Sequence, residues 1–298
     1  MAELKSSRFS SWILACRMKT LPAAIVPVVL GTALAWRENR VDWVAALICL
    51  MFALLVQVGT NFANDYYDFI KGADTPNRVG PTRAVAAGLI APATMFRAMC
   101  GVFAFAFASG LILIVYGGPI LLVVGVLSIV CAVAYTGGPY PLAYNGLGDV
   151  FVVLFFGLIA VAFTFFVQAG YFSGQSFIVG FGCGVLINNI LVVNNYRDYY
   201  QDRQAGKRTL VVRLGRPVAR LQYFLSSLAA CLLVPGILWL TGFQPWILLP
   251  VLMIPIGIRF TRKMLPTASG NELNQLLAQS AKCVVVYGSL MALGIALS

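Results

Sequence analysis

Long hydrophobic segments follow one another along the whole chain, and short polar or charged stretches separate them. A helix that crosses a bilayer needs about 20 predominantly apolar residues, and the pattern predicts nine such segments. They cover approximately residues 21–36, 43–63, 95–116, 118–135, 150–171, 176–196, 221–241, 244–260 and 277–297. The sequence therefore predicts an all-α, polytopic membrane helical bundle that forms a single domain over residues 1–298.

The composition agrees with this pattern and removes several kinds of site. Hydrophobic residues make up 60% of the 298 positions and charged residues only 10%, whereas soluble domains carry roughly 25% charged residues. The chain has no His, which excludes a His-based metal site or a His base. The seven Cys residues are scattered without a CxxC pair, so we interpret them as packing residues.

Basic residues are distributed unevenly among the segments that connect the predicted spans. If nine spans alternate in direction, only Arg37 and Arg40 of the 21 Lys and Arg residues fall on one side. The positive-inside rule then places the basic side and the N-terminus in the cytoplasm, and the C-terminus outside. This bias, with attraction to anionic lipid headgroups, accounts for the net charge of +11 without a nucleic-acid partner.

Acidic and amide side chains cluster at the predicted cytoplasmic ends of the second and sixth spans. The first motif comprises Asn64, Asp68 and Asp74, and the second motif comprises Asn194, Asp198 and Asp202. The second motif and the pair Asn64 and Asp68 follow steps of four residues, which return to nearly the same face of a helix, so each motif projects a ladder of oxygen atoms. Mg²⁺ takes one or two carboxylates together with water and phosphate oxygens. The two motifs therefore predict a site in which two Mg²⁺ ions bridge a diphosphate.

Two other interpretations explain part of the same pattern. The acidic residues could simply pair with basic neighbours such as Arg78, Arg83 and Lys207. The two motifs lie 130 residues apart, from Asn64 to Asn194, and so resemble an internal repeat. Membrane acids and an internal repeat also mark cation-coupled transporters, whose sites usually lie near the bilayer midplane. Because both motifs lie at span ends beside basic residues, the sequence favours an enzyme that acts on a diphosphate.

The second motif carries a family resemblance. "NNYRDYYQD" (194–202) matches the NxxxDxxxD pattern of the UbiA superfamily of intramembrane prenyltransferases, whereas the first motif has Gly72 at the third position. "NDYYDFIKGADTPNRVGPTRAV" (64–85) and "AYTGGPYPLAYNGLGDVFVVLFFG" (134–157) resemble the branch that prenylates 1,4-dihydroxy-2-naphthoate.

The resemblance implies a Mg²⁺-dependent transferase in a bacterial-type cytoplasmic membrane, with its active site facing the cytoplasm. It would join the polyprenyl group of a polyprenyl diphosphate to dihydroxynaphthoate and release CO₂ and diphosphate, giving demethylmenaquinone. Sister enzymes that use 4-hydroxybenzoate, homogentisate or a chlorophyll-type acceptor remain alternatives.

The motif positions also imply roles for individual residues. Metal ligands would be the six residues of the two motifs, with Asp74 and Asn194 as helpers. Diphosphate-binding residues would be Arg78, Lys207, Arg208, Lys71, Arg83 and Arg17. Catalytic residues that act on the acceptor would be Asp65, Asn61 and Tyr135. Asp65 lies about 100° round the helix from the metal-binding face and would orient or deprotonate a phenol of the acceptor.

Overall fold

The described part of the protein, residues 8–74 and 80–298 of a computed structural model, consists of helices joined by loops and contains no strand. The helices are α1 (Arg8–Cys16), α2 (Pro22–Arg37), α3 (Trp43–Ile70), α4 (Pro92–Gly117), α5 (Ile120–Ala134), α6 (Gly148–Ala169), α7 (Gly174–Arg197), α8 (Tyr199–Gln204), α9 (Leu210–Leu214), α10 (Arg216–Leu240), α11 (Pro245–Lys263) and α12 (Gly270–Ala296). The predicted all-α membrane fold is confirmed.

Seven helices among the described residues are long and apolar enough to cross a membrane, namely α3, α4, α6, α7, α10, α11 and α12. The pair α1–α2, bent by 48° between Phe9–Thr20 and Pro22–Arg37, makes an eighth span if it is counted as one. Helix α5 has 15 residues and is about 22 Å long, which is shorter than a hydrocarbon core of about 30 Å. The count of nine spans therefore stays a prediction.

Helix α2 lies at the centre of the bundle, where it packs against α3, α6, α7 and α12. Leu30 on α2, Phe165 on α6 and Tyr287 on α12 are fully buried in this core. Helix α2 is apolar on all sides, and its neighbours cover part of its surface, since Ile25, Val29 and Trp36 are exposed. Helices α3, α4 and α5 form a second packed group that borders α2 and α6.

Helices α6 and α7 approach each other closely through glycines. A Cβ atom at Gly184 would lie 2.7 Å from the carbonyl oxygen of Val153, and one at Gly180 would lie 2.9 Å from that of Gly157. Small residues allow membrane helices to approach in this way. The glycines of the stretch "GFGCG" (180–184) thus serve helix packing.

We expect Gly184→Ala to lower the stability of the folded protein by about 1–3 kcal/mol, because the added methyl group meets backbone atoms that cannot move aside. The matched control is Gly101→Ala, since no atom lies within 4 Å of a Cβ at that position on α4. The control should be neutral or stabilising by up to about 1 kcal/mol. Thermal unfolding of both variants in detergent measures the difference, and equal midpoints would contradict the close approach.

The polar segments of the two motifs and their partners collect at one end of the bundle. There, Arg197 donates to Asn274 (2.7 Å) and the Tyr196 hydroxyl donates to the carbonyl of Met264 (2.9 Å). At the opposite end, the Arg37 guanidinium lies 3.9 Å from the ring centroid of Phe243. We name these the motif end and the far end. The orientation of the two ends in a membrane stays a prediction.

Candidate active site

The helix that carries the first motif, α3, ends at Ile70, and the turn that caps it is made at Gly72. The N–H of Gly72 donates to the carbonyl of Phe69 (3.0 Å), and the N–H of Ala73 donates to the carbonyl of Asp68 (2.9 Å). This pair of bonds is a Schellman cap, which needs a residue in the left-handed region, and Gly72 has φ +67°. The third motif position thus coincides with the left-handed residue of the cap, a conformation that glycine adopts readily.

The helix of the second motif ends with the same type of cap. Here the capping glycine comes one helical turn after the third motif position, whereas in the first motif it occupies that position. Gly206 has φ +74°, and the N–H of Lys207 donates to the carbonyl of Asp202 (2.8 Å). By its place in the cap, Asp202 is thus the counterpart of Asp68. Asn194 and Asp198 precede it on α7 and at the junction of α7 with α8, so the second motif extends further along its helix.

The carboxylate of Asp68 connects the two motifs. It is 2% exposed and accepts hydrogen bonds from the Tyr144 hydroxyl (2.8 Å), Lys207 Nζ (3.2 Å) and Arg83 Nη2 (3.2 Å). Lys207 belongs to the cap of the second motif, 139 residues further along the chain. The structure therefore brings Asp68 of the first motif to the cap that follows the second motif.

Arg83 lies between the two acidic side chains of the first motif. Its Nε is 3.3 Å from Asp74 Oδ2, while its Nη2 contacts Asp68. Nη1 of Arg83 is buried and has no hydrogen-bond acceptor among the described residues. The guanidinium is thus held by two carboxylates and keeps a donor for an anionic ligand.

Arg197 organises the second motif, a role that the sequence analysis missed. Its Nε and Nη2 each lie 2.7 Å from an oxygen of Asp198, and Nη2 also donates to Asn194 Oδ1 (2.8 Å). Two-point contact of this kind fixes a carboxylate strongly. The signal in the sequence was an Arg three residues after Asn194 at the end of an apolar helix, where a charge needs a partner.

A loop between α5 and α6, residues 135–147, lies between the two motifs and was also missed as a source of site residues other than Tyr135. The Thr136 hydroxyl donates to Asn64 Oδ1 (2.9 Å), and Lys71 Nζ donates to the Thr136 carbonyl (2.7 Å). The Tyr144 ring lies 4.9 Å from Lys71 Nζ and 4.6 Å from Lys207 Nζ. The loop therefore fixes Asn64 and positions two cations.

The surroundings of Tyr144 in this loop keep its hydroxyl group protonated. Burial, the negative charge of Asp68 and the hydrogen bond to Asp68 raise the pKa of Tyr144 well above its ordinary value. The pKa of Lys71 is lowered, because burial and the positive charge of Lys207 outweigh the opposing effect of Asp68. Tyr144 is therefore a hydrogen-bond donor to Asp68 throughout the physiological pH range.

The predicted acceptor residues on α3 contact protein groups. Asp65 is 1% exposed and accepts hydrogen bonds from the backbone N–H groups of Ala84 (3.0 Å) and Val85 (3.2 Å). Asn61 Nδ2 donates to the Cys16 carbonyl (2.9 Å) and to Thr20 Oγ1 (3.1 Å). Asn61 thus attaches the bend between α1 and α2 to α3.

The three remaining predicted diphosphate contacts differ in their surroundings. Arg17 adopts φ +49° at the bend between α1 and α2, and its charge acts on Asp65. Arg208 is exposed, and its backbone N–H donates to the Tyr144 carbonyl (2.8 Å). Arg78 lies outside the described residues.

Tyr135 lies where the motifs meet an apolar cavity. Its phenol is within electrostatic range of Asp68, Asp149 and Asp202, and its side chain lines the cavity. The cavity is bordered by α2, α3, α4, α5 and α6. The aromatic residues that α6 contributes are Phe151, Phe155, Phe156 and Phe163.

Magnesium fits the donor set of the two motifs only in company with a ligand. Among residues 8–74 and 80–298, no three His, Cys, Asp or Glu side chains converge into a metal cage. Asp68 and Asp198 instead contact Arg and Lys side chains. Since Mg²⁺ is commonly held by one or two carboxylates and by phosphate oxygens of a substrate, the arrangement suits a magnesium–diphosphate complex.

Comparison with known proteins gives consistent results. The model of the UbiA prenyltransferase family matches residues 24–293. The 1,4-dihydroxy-2-naphthoate octaprenyltransferase of Escherichia coli (strain K12) is 35% identical over 100% of this chain and 99% of its own. The enzyme of that name from Mycobacterium tuberculosis (strain ATCC 25618 / H37Rv) is 36% identical over 95% of this chain and 96% of its own.

A solved structure shares the fold. A UbiA homolog from Archaeoglobus fulgidus, bound to DMAPP and Mg²⁺, superposes with a TM-score of 0.69 at 14% identity. The alignment covers 95% of this chain and 99% of the homolog.

Proposed function

Because the chain belongs to the UbiA prenyltransferase family, we propose that it transfers a polyprenyl group from polyprenyl diphosphate to 1,4-dihydroxy-2-naphthoate. The reaction would release diphosphate and CO₂ and yield the hydroquinone demethylmenaquinol, which a separate two-electron oxidation would convert into demethylmenaquinone. Whole-length similarity to enzymes named for this reaction supports the acceptor.

The observation that carries the proposal is the contact between Lys207 and Asp68 beside an apolar cavity. A prenyl diphosphate has a highly charged head and a hydrocarbon tail, and the site offers surroundings for both. Tyr135 lines the cavity and also interacts with carboxylates of both motifs. A cation-coupled transporter is less favoured, since its site would lie nearer the midplane.

The metal ligands of the proposed enzyme are the oxygen-bearing side chains of the two motifs. They are Asn64, Asp68, Asp74, Asn194, Asp198 and Asp202. Bound Mg²⁺, as two ions in our proposal, would supply Lewis-acid stabilisation of the diphosphate charge. Arg197 and Thr136 hold Asp198, Asn194 and Asn64 in place for this role.

Lys207 and Arg83 would bind the diphosphate directly. Both are positioned against Asp68 before a substrate arrives, and cations fixed in advance stabilise the negative charge that develops on a leaving group. Lys71, Arg208, Arg78 and Arg17 would add positive charge around the same head group.

In the transfer, the allylic C–O bond breaks and its electron pair leaves with the diphosphate. The aromatic ring of the acceptor then supplies the pair for the new C–C bond, and the ring carboxylate leaves as CO₂. An apolar cavity excludes water from the allylic cation. Tyr135 and Asn61 remain proposed residues that position the acceptor, whereas both oxygens of Asp65, the third residue assigned to this role from the sequence, accept backbone hydrogen bonds.

The basic segments favour an orientation in which the motif end faces the cytoplasm of a bacterial-type cytoplasmic membrane. Of the basic residues that the sequence analysis assigned to the opposite side, Arg37 contacts Phe243 at the far end. The seven long helices, the pair α1–α2 counted as one span, and α5 would together give nine spans if α5 crosses the membrane.

The test is turnover of the purified protein with Mg²⁺, a labelled polyprenyl diphosphate and each candidate acceptor. We expect prenylated product with 1,4-dihydroxy-2-naphthoate. Product only with 4-hydroxybenzoate, homogentisate or a chlorophyll precursor would assign a sister reaction instead. Absence of turnover with every acceptor would contradict the enzyme and favour transport.

We expect Gly125→Leu to shorten the prenyl chains that the protein accepts, because Gly125 lines the cavity and a larger side chain fills part of its volume. The kcat/KM should fall by roughly tenfold for the longest donors and remain near wild type for short ones. Gly101→Leu, away from the cavity on α4, is the control. An equal loss for all chain lengths would argue against the cavity as the prenyl site.

A further inference from the structure

The carboxylate of Asp65 holds a loop rather than facing the cavity. Both of its oxygens accept hydrogen bonds from backbone N–H groups, Oδ2 from that of Ala84 and Oδ1 from that of Val85. Ala84 and Val85 are buried in the core formed with Phe62 and Met95. The segment is thus attached to α3 by charge-assisted hydrogen bonds and by apolar packing.

The residue immediately before this attachment is Arg83. Its position follows from the anchored backbone of Ala84, because a guanidinium can reach Asp68 and Asp74 together only from a limited set of backbone positions. The distances of 3.2 Å to Asp68 and 3.3 Å to Asp74 show that it does so. Its buried Nη1 has no acceptor among the described residues, and a diphosphate oxygen would supply one.

We propose that Asp65 is a positioning residue that acts on diphosphate binding through Arg83. This inference rests on the proposed function, and it gives Asp65 a role different from deprotonation of the acceptor. A base must reach the acceptor phenol, yet Asp65 does not line the cavity, and both of its oxygens face backbone N–H groups of the loop. A residue that orients a cation for a phosphate needs both bonds to stay in place.

The experiment is a double-mutant cycle with Asp65→Asn, Arg83→Gln and the double variant. Affinity for a non-hydrolysable prenyl thiolodiphosphate is measured in the presence of Mg²⁺ and without acceptor. In Asp65→Asn, the amide NH₂ faces one of the two backbone N–H groups, so the loop must shift. We expect each single variant to bind the analogue roughly tenfold more weakly than wild type, and the double variant to bind no more weakly than Arg83→Gln alone.

Two results would overturn the proposal. Asp65→Asn could bind the analogue like wild type while its turnover is lost, as expected of an acceptor base. The losses of the two single variants could also multiply in the double variant, which would show that Asp65 and Arg83 act independently. If wild type itself fails to bind the analogue, the proposed function fails, and this outcome is distinct from both.

Asp42→Asn is the matched control, since it makes the same substitution at the other end of the same helix, where Asp42 caps α3 and Asn is an equally good cap. It should leave analogue binding unchanged. If Asp65→Asn does not yield folded protein, Asp65→Glu replaces it in the cycle. Glu keeps the charge but displaces the carboxylate by one CH₂ group. Weaker binding of the analogue that is not additive with the effect of Arg83→Gln would support the positioning role, and binding equal to that of wild type would contradict it.

Discussion

Replacing Asp68 by Asn should lower kcat/KM of the proposed prenyl transfer by about a hundredfold or more. Asp68 contacts Tyr144, Lys207 and Arg83, so it joins the first motif to the cap that follows the second. Neutralising it removes a metal ligand of the proposed site and releases two cations from their positions. We expect a similar loss for Asp198→Asn, because Arg197 then loses one acceptor of its two-point contact.

The measurement is steady-state turnover of detergent-solubilised protein with labelled polyprenyl diphosphate and dihydroxynaphthoate. The amide oxygen that Asp68→Asn introduces can still accept the Tyr144 hydrogen bond, which favours folding. Size-exclusion profiles and thermal midpoints identify any variant that is unfolded. Asp42→Asn, on the same helix but at the far end, should keep wild-type turnover. Activity of Asp68→Asn within twofold of wild type would rule out its assignment as a ligand.

The second large effect concerns divalent metal. Excess EDTA should lower turnover by at least about a hundredfold, and added Mg²⁺ should restore it. The site combines several carboxylates with a diphosphate, and these like charges repel one another unless cations lie between them. Arg83, Lys207 and Arg197 already contact carboxylates, so they cannot neutralise both the protein and the substrate.

A second readout separates binding from chemistry in this experiment. Affinity for the prenyl thiolodiphosphate should also fall in EDTA, since the metal would bridge the analogue to the motifs. The control contains the same EDTA with Mg²⁺ in excess of the chelator. Full turnover in excess EDTA would contradict the metal-dependent site, even if the motif variants are inactive.

The first motif shows how far a local pattern predicts a site. Its i, i+4 spacing correctly placed Asn64 and Asp68 on one helix, because helix periodicity is a property of the backbone. The departure at Gly72 was visible in the sequence, and the structure places this residue in the left-handed cap. The contact between Asp74 and Arg83 was not predictable, since it depends on where the segment that carries Arg83 packs.

The second motif shows the opposite limit. Arg197 entered the sequence analysis only as one of many basic residues, yet it contacts Asp198, Asn194 and Asn274. Asn274 is 77 residues further along the chain, on α12. Such a partner can be known only after α7 and α12 are packed together.

By itself, the sequence determined that the fold is a bundle of apolar membrane helices and that Asn64 and Asp68 lie on one face of a helix, because apolar length and helical period act within one segment. Tertiary packing alone decided that Lys207 reaches Asp68, that Tyr144 lies between two cations, and that Asp65 holds the loop of Arg83. Each of these contacts joins residues that are far apart in the chain. Their geometry depends on helix packing, which no single segment specifies.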